Sequence, residues 1–395
     1  MSTFVSGERD IISALSRVDW NFPGATTLQS TVHSLHWFPG NFIPQIPSYL
    51  IQLLSKRNDW ILDPFCGSGT TGIEAILLGR RAWQTDINRV SIMIARGKLA
   101  ALSGNSVKDD LIRMAQELFW NLPFMSDSSG RNGEGSDPAL RQWFHEDTLA
   151  QLRYIWNAIE RKESLATKHV LEMIFSDALF ACASTSSSLT SGGRRRRHHW
   201  GWIADNVRPR SPGWHNATKI FRDRLTHACD VLSMLPSISC PDSVLKREDI
   251  HSLGVPDSSM DLIVTSPPYL GMIDYALANR LTYLWFGWSL TEDRDLEIGA
   301  RYRRKSKNVA QDYLQSVAQV SKQMVRVLKP GGHCAIVIGS SRKFPQMAEL
   351  IATVFGEQLR LTWGPIKRIP TKRRISERKG TEPVELVCVF RKDYV

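Results

Sequence analysis

Ser266-Pro267-Pro268-Tyr269 closes a short apolar run, Leu262–Thr265, and gathers groups that could do chemistry. The run has the composition of a strand buried on both faces. The tetrapeptide therefore falls at a strand's carboxyl end, where open α/β sheets bind ligands. Two successive prolines fix φ and donate no N–H, so the corner presents carbonyl acceptors beside a hydroxyl and an aromatic face. That set suits a flat molecule bearing an amino group. The Ser266 hydroxyl and the Pro267 carbonyl can accept its two N–H groups while Tyr269 stacks on the ring. Pro-Pro followed by an aromatic also occurs in ordinary loops. A second constellation upstream shifts the balance.

In Trp60–Thr70, WILDPFCGSGT, a predicted strand ends at Asp63, a tight turn carries Gly67 and Gly69, and a helix is expected over Thr71–Leu78. Strand, glycine turn and helix bring backbone N–H groups close to a ligand, with positive potential at the helix start. A phosphate-binding loop would carry a lysine that is absent here, and Asp63 would repel phosphate. Asp63 suits an ammonium group instead. A second predicted strand, Arg80–Asn88, closes on Asp86, 23 residues after Asp63. An acid about 20 residues beyond the glycine turn is where a doubly wound sheet accepts hydrogen bonds from ribose hydroxyls. The two acids and the glycine turn together point to a nucleoside-type cofactor.

The elements that must position these residues follow from the pattern. Pro44 and Pro47 suit the entrance of a helix over Ile46–Leu54. A third strand, Ser243–Asp249, ends on an acid, and the fourth ends at the tetrapeptide. Beyond it a helix is expected over Met272–Trp288, another over Asp312–Leu328, a turn at Gly331-Gly332 and a fifth strand over His333–Gly339. A helix over Phe344–Phe355 and strands over Leu359–Trp363 and Val384–Arg391 complete the pattern. Residues 101–240 break this rhythm with helices expected over Asp109–Phe119, Asp147–Arg161 and Lys168–Ala181. The expected organisation is a cofactor half at 1–100, a mainly helical insertion at 101–240 and a catalytic half at 241–395.

A net charge of +11 and a pI near 9.5 favour an acidic partner, nucleic acid ahead of a membrane surface. No apolar run approaches the length of a membrane span, and the first residues lack the layout of a secretion signal. A cytoplasmic location is expected. The six cysteines are scattered without CxxC spacing, so neither a zinc site nor a disulfide framework is expected. Within the insertion, Arg194, Arg195, Arg196 and Arg197 precede Trp200, Trp202, Asn206 and Arg208 after a Ser/Thr/Gly-rich stretch. Cations interleaved with aromatics suit a loop that grips phosphates and touches bases. Arg301–Lys307 and Lys367–Lys379 are further basic clusters.

With these residues in hand, the chain resembles the amino-methyltransferases of DNA over roughly Val32–Lys98 and Asp242–Lys392. Asp63–Thr70 looks like that family's cofactor loop, Thr265–Tyr269 like its catalytic motif, and His36–Pro44 like the segment that precedes the loop. The resemblance implies an α/β class I methyltransferase fold, a Rossmann-like doubly wound and mostly parallel sheet with a large helical insertion. It implies S-adenosylmethionine as cofactor, held by Pro64, Phe65, Gly67, Ser68, Gly69 and Thr70. Asp86 would hold the ribose and Asp249 the adenine amino group, with Phe38 and Pro39 over the methionine end. The catalytic set would be Ser266, Pro267, Pro268 and Tyr269. Members with serine at the first position of the motif usually methylate N4 of cytosine, and those with aspartate N6 of adenine. No Pro-Cys pair exists for cytosine-C5 chemistry. Double-stranded DNA is the implied partner, with a restriction endonuclease acting separately and no membrane or metal. Competing readings are an N6-adenine enzyme, an RNA base methyltransferase and a DNA-binding protein with a vestigial methyltransferase fold.

Overall fold

A computed structural model describes residues 7–23, 31–40, 43–102, 105–120, 138–183, 203–209, 211–236, 241–341, 343–369 and 385–394. Its centre is a seven-stranded sheet in the order β3-β2-β1-β4-β5-β7-β6. The strands are β1 (Trp60–Asp63), β2 (Arg81–Asp86), β3 (Ser243–Arg247), β4 (Met260–Thr265), β5 (Leu328–Gly339), β6 (Arg360–Arg368) and β7 (Glu385–Arg391). All neighbours pair in parallel except β7, which runs antiparallel to β5 and β6. This is the class I methyltransferase topology. The chain order reverses between β1 and β4, so the carboxyl ends of these two strands flank the switch point where such sheets bind ligands.

Strand residues point alternately to two faces, and both faces are covered. Ile61, Leu262, Val264, Ala335, Val337, Val387 and Val389 face one core, while Leu62, Ile263, Cys334, Ile336, Ile338, Leu386 and Cys388 face the other. The first core is closed by α1 (Glu8–Ser16), α2 (Gln45–Leu54), α3 (Thr70–Leu77) and α4 (Arg89–Ala101). The inserted helices α5 (Asn105–Trp120), α6 (Pro138–Arg141), α7 (Glu146–Glu160), α8 (Leu165–Cys182) and α9 (Ala217–Met234) extend that same core. Helices α4 and α8 approach so closely that a Cβ on Gly97 would lie 2.6 Å from the Met173 Cβ.

After β4 come α10 (Tyr275–Ala278), α11 (Arg280–Phe286) and α12 (Leu290–Leu296), then α13 (Val309–Val327) and α14 (Met347–Gly356) on the second face. Two expectations change here. The helix expected over Met272–Trp288 is broken at Asn279, whose side-chain amide donates to the Tyr275 carbonyl at 2.9 Å, and it ends on Gly287 with φ +64°. Gly331-Gly332, expected to turn the chain before the fifth strand, lies inside β5, with φ +77° at Gly331.

Candidate active site

Four strand ends build the site. β1 delivers Asp63, which is 1% exposed and accepts from the Thr265 hydroxyl at 2.6 Å and the Phe65 N–H at 3.1 Å. Burial pushes its carboxyl up to about 6. Asp63 thus ties the carboxyl ends of β1 and β4 together. The following loop needs glycine: Gly67 has φ +50°, and Gly69 has φ +83° as the residue before α3. A Cβ on Gly69 would lie 2.9 Å from the Ala95 Cβ. Beneath the loop, the fully buried Lys98 donates to the Ser68 hydroxyl at 3.0 Å, and burial pulls its ammonium down to about 7.

β2 delivers Asp86. Its carboxylate accepts from the N–H groups of Gly67 and Asn88, both at 2.9 Å, so the acid fixes the loop of the neighbouring strand. Burial raises this carboxyl to about 6, against those two hydrogen bonds, with the nearby Asp63 and Asp293 charges adding to the rise. Asn88 then caps α4 by accepting from Val90 and Ser91. Beyond β3, Asp249 accepts from the N–H of His251 at 2.9 Å and contacts its ring Nδ1 at 2.8 Å.

β4 delivers the tetrapeptide. The Ser266 hydroxyl donates to the Tyr269 hydroxyl at 3.3 Å, which donates to Glu385 at 3.2 Å. Glu385 is paired in turn with the buried Arg368, whose Nε donates to the Trp20 carbonyl at 2.9 Å. The Tyr269 ring is covered on one side by Gly339 at the end of β5; a Cβ there would lie 2.3 Å from the ring. Tyr313 on α13 donates to the Pro268 carbonyl at 2.7 Å.

A cleft of about 830 Å³ joins these ends. Of the residues singled out in the sequence, Phe38, Pro64, Phe65, Gly67, Thr70, Asp86 and Asp249 line it, as do Ser266 and Pro268. Asp63, Ser68 and Gly69 stand behind the wall, and Pro39, Pro267 and Tyr269 do not form part of it. Arg194–Arg197, Trp200 and Trp202 lie outside the described residues. Asn206 has φ +56° and accepts from Arg208 Nε at 3.2 Å.

Sequence reasoning missed several wall residues. Tyr275 stacks on Phe38 with ring centroids 5.9 Å apart and planes 17° apart. Glu248 adds a carboxylate next to Asp249. Glu297 is 5% exposed and accepts the N–H groups of Ala276 at 2.6 Å and Tyr275 at 3.1 Å. Burial lifts Glu297 to about 8; those hydrogen bonds oppose the rise, and the charges of Asp274 and Asp86 add to it. Only its position before a glycine, Gly299, marked it in the sequence.

Asp86, Glu248, Asp249 and Glu297 give one cleft four carboxylates. Their chemistry fits a cationic sulfonium carrying ribose hydroxyls and an adenine amino group, and it repels phosphate. Ser266 and Pro268 of the tetrapeptide line the same cleft.

A profile of the DNA methylase family matches residues 19–96 and 260–395, more than half of the chain. This chain belongs to the DNA methylase family. Type II methyltransferase M.MjaII of Methanocaldococcus jannaschii is 21% identical over 390 residues, spanning 79% of this chain and 72% of that protein. Type II methyltransferase M.MvaI of Kocuria varians is 23% identical over 283 residues, spanning 68% of this chain and 60% of that protein. A solved SAM-dependent methyltransferase from Methanosarcina mazei aligns with 12% identity and a TM-score of 0.30, over 86% of this chain and 95% of its own. The family uses S-adenosylmethionine, and the residues that would hold it here are Asp86, Asp249 and the Pro64–Thr70 loop.

Proposed function

We propose that this DNA methylase transfers the methyl group of S-adenosylmethionine to the exocyclic amino nitrogen of a base turned out of duplex DNA, N4 of cytosine. The observation that carries this reading is the single cleft in which the acids at the ends of β2 and β3 meet Ser266 and Pro268. The cofactor supplies an electrophilic methyl on sulfur. An exocyclic amino nitrogen is a poor nucleophile because its lone pair is delocalised into the ring. Ser266 and Pro267 offset this by accepting the two N–H groups, which draws the pair back onto nitrogen. Among the described residues Tyr313 occupies the Pro268 carbonyl, and no donor occupies that of Pro267. The Pro267 carbonyl, on a buried residue between the wall residues Ser266 and Pro268, is left without a described protein donor, and we assign it to the amino group. Catalysis here is orientation and electrostatics, with no covalent intermediate on the protein.

Because a duplex hides its amino groups, the base must be extruded at a cost of a few kcal/mol, offset by contacts in the pocket and along the backbone. Arg194–Arg197 are assigned to phosphates, Trp200, Trp202 or Asn206 to the region nearer the bases, and Arg208 to DNA contact. Serine at the head of the tetrapeptide favours cytosine N4 over adenine N6, in a cytoplasmic modification system whose endonuclease acts separately. Expression in a methylation-free host, followed by sequencing that separates N4-methylcytosine from N6-methyladenine, tests the assignment. N4-methylcytosine at one recurring sequence is expected. N6-methyladenine would overturn the choice of base, and unmodified DNA from a folded, cofactor-binding protein would overturn the activity.

A further inference from the structure

Most described arginines near a carboxylate are paired with it: Arg89, Arg224, Arg247, Arg326 and Arg368 all make ion pairs. Arg208, Arg280 and Arg294 make none with any described carboxylate. Arg280 opens α11, is partly buried, and has a buried Nε without an acceptor; its other contact is a long 3.4 Å donation to the Ala204 carbonyl. Arg294 on α12 also has a buried Nε without an acceptor, and its guanidinium lies 3.9 Å from the centroid of the Tyr302 ring. The nearby carboxylates are engaged elsewhere. Asp205 pairs with Arg301 at 3.3 Å, Asp274 accepts the Tyr302 N–H, and Asp295 accepts the Tyr302 hydroxyl. Geometry draws the three toward one place: Arg280 donates to the Ala204 carbonyl, the adjoining Asp205 pairs with Arg301, Arg294 rests over the ring of the next residue, Tyr302, and Arg208 follows on the same stretch as Ala204 and Asp205. Burial and then the charges of Arg208 and Arg294 ease Arg280 below its ordinary range.

Partly buried guanidinium groups such as those of Arg280 and Arg294, whose Nε atoms lack acceptors, are costly unless an anion completes them, and the exposed Arg208 adds a third cation. Their place says which anion. Arg280 follows Tyr275 on the cleft wall, Arg294 precedes the wall residues Leu296, Glu297 and Ile298, and Arg208 comes from the insertion. The three come from the insertion and the catalytic half, two of them on segments that also carry cleft-wall residues.

Building on the reading of a DNA methyltransferase, we infer that Arg208, Arg280 and Arg294 form a phosphodiester site that grips the DNA backbone next to the extruded nucleotide. Planar guanidinium forks match phosphate oxygens, and the Tyr302 ring holds one fork in place.

The test measures methyl transfer from labelled S-adenosylmethionine to unmethylated genomic DNA from a methylation-free host, across a series of salt concentrations. For the wild type, KM for DNA should rise steeply with salt. Replacing all three arginines by glutamine should raise that KM at least tenfold at moderate salt and flatten log KM against log salt by about 2–3 units, at ~0.9 for each phosphate no longer neutralised. Cofactor affinity should be unchanged, and lysine at the three positions should restore most of the slope. An Arg113→Gln/Arg141→Gln control, at exposed ion-paired positions in the insertion, should leave the slope intact. If the triple variant fails to fold, the exposed Arg208→Gln alone should still cost about one unit of slope. An unchanged slope in an active variant would overturn this site and leave the methyltransferase standing. A folded, cofactor-binding wild type that neither binds nor methylates DNA would overturn the parent reading instead.

Discussion

Asp86 gives the sharpest test of the cofactor site. Its carboxylate already accepts two backbone N–H groups, from Gly67 and Asn88, and it lines the cleft with lone pairs to spare. Asp86→Asn replaces one oxygen by a donor. Each carboxylate oxygen already accepts one backbone N–H, so in either orientation the amide nitrogen meets and repels one of them, and the ribose hydroxyls lose a charged acceptor. Hydrogen bonds to a charged group are worth about 1.5–3 kcal/mol each. Losing a net ~2–3 kcal/mol weakens cofactor binding by ~30- to 150-fold. The ligand-free protein should behave differently. Its Asp86 carboxyl is raised from 3.8 to about 6, so ionising it lowers folding stability as pH climbs from 3.8 through 6. Asparagine is free of that cost, which offsets part of the weakening of the loop, so the ligand-free melting temperature at pH 7.5 should stay close to wild type. Calorimetry with S-adenosylmethionine at pH 7.5 and pH 5 separates the two effects, because wild type loses its charge at the lower pH and the gap to the variant should narrow. A drop in affinity below about threefold at pH 7.5, in a folded variant, would refute ribose recognition by Asp86.

Ser266→Ala and Tyr269→Ala should keep cofactor affinity and lose methyl transfer by at least ~100-fold, the scale of removing a preorganised acceptor or donor; near-normal turnover in Tyr269→Ala, measured with labelled cofactor, would remove the tyrosine from the acceptor site. Gly69→Ala forces a left-handed φ of +83° on a side chain that meets Ala95, so a loss of about 1–3 kcal/mol in denaturant unfolding is expected, with weaker cofactor binding. Glu297, lifted to about 8, is largely protonated at neutral pH without a ligand, and stability from its neutral form is lost as pH rises from 4.5 through 8. A cationic cofactor beside it favours the ionised form, so affinity should rise with pH up to about 8 and flatten in Glu297→Gln; titrations in buffers of different ionisation enthalpy read the released proton. Replacing Arg194–Arg197 by alanine should lower the salt dependence of DNA binding without changing cofactor affinity, and an unchanged slope would shift the backbone contacts to other basic surfaces.

What could be read from the sequence is what short-range chemistry fixes. The apolar runs of β1 and β4 end at Asp63 and Ser266 because a buried strand disfavours carrying charged and polar groups into the core, the spacing from the glycine turn marks Asp86 at the end of β2, and the loop glycines mark backbone that must turn left-handed. Helix α4 was not legible for a related reason. Ten of its thirteen residues are buried, so it has no polar face to set a helical period. The missed site residues depend on long-range contacts. Tyr275 reaches the wall only because α10 breaks from α11, and Glu297 only because its segment folds back onto the N–H groups of α10. The sequence suggests a base-stacking role for the Tyr269 ring; what it could not show is that one side of the ring rests on Gly339 and that its hydroxyl donates to Glu385, 116 residues away.

One short segment joins the cofactor cleft to its basic rim. Asp293 on α12 is fully buried and accepts from the Arg89 N–H at 2.8 Å, Arg247 at 2.7 Å and the Tyr283 hydroxyl at 2.5 Å. Those partners stand at the start of α4, at the end of β3 and on α11, so α12 is pinned to the cofactor half and to the helix that opens with Arg280. Arg294 lies one residue beyond this pin and Glu297 four residues beyond it. The pin therefore sets the distance between a carboxylate facing the cofactor cleft and a guanidinium facing its rim. Over these few residues Arg294, which has no described carboxylate partner, is followed by Glu297, an acid on the cleft wall. Methyl transfer would remove the cofactor's sulfonium charge but leave its ribose hydroxyls and adenine amino group, so the cleft acids would hold the product less tightly than the cofactor without releasing it outright.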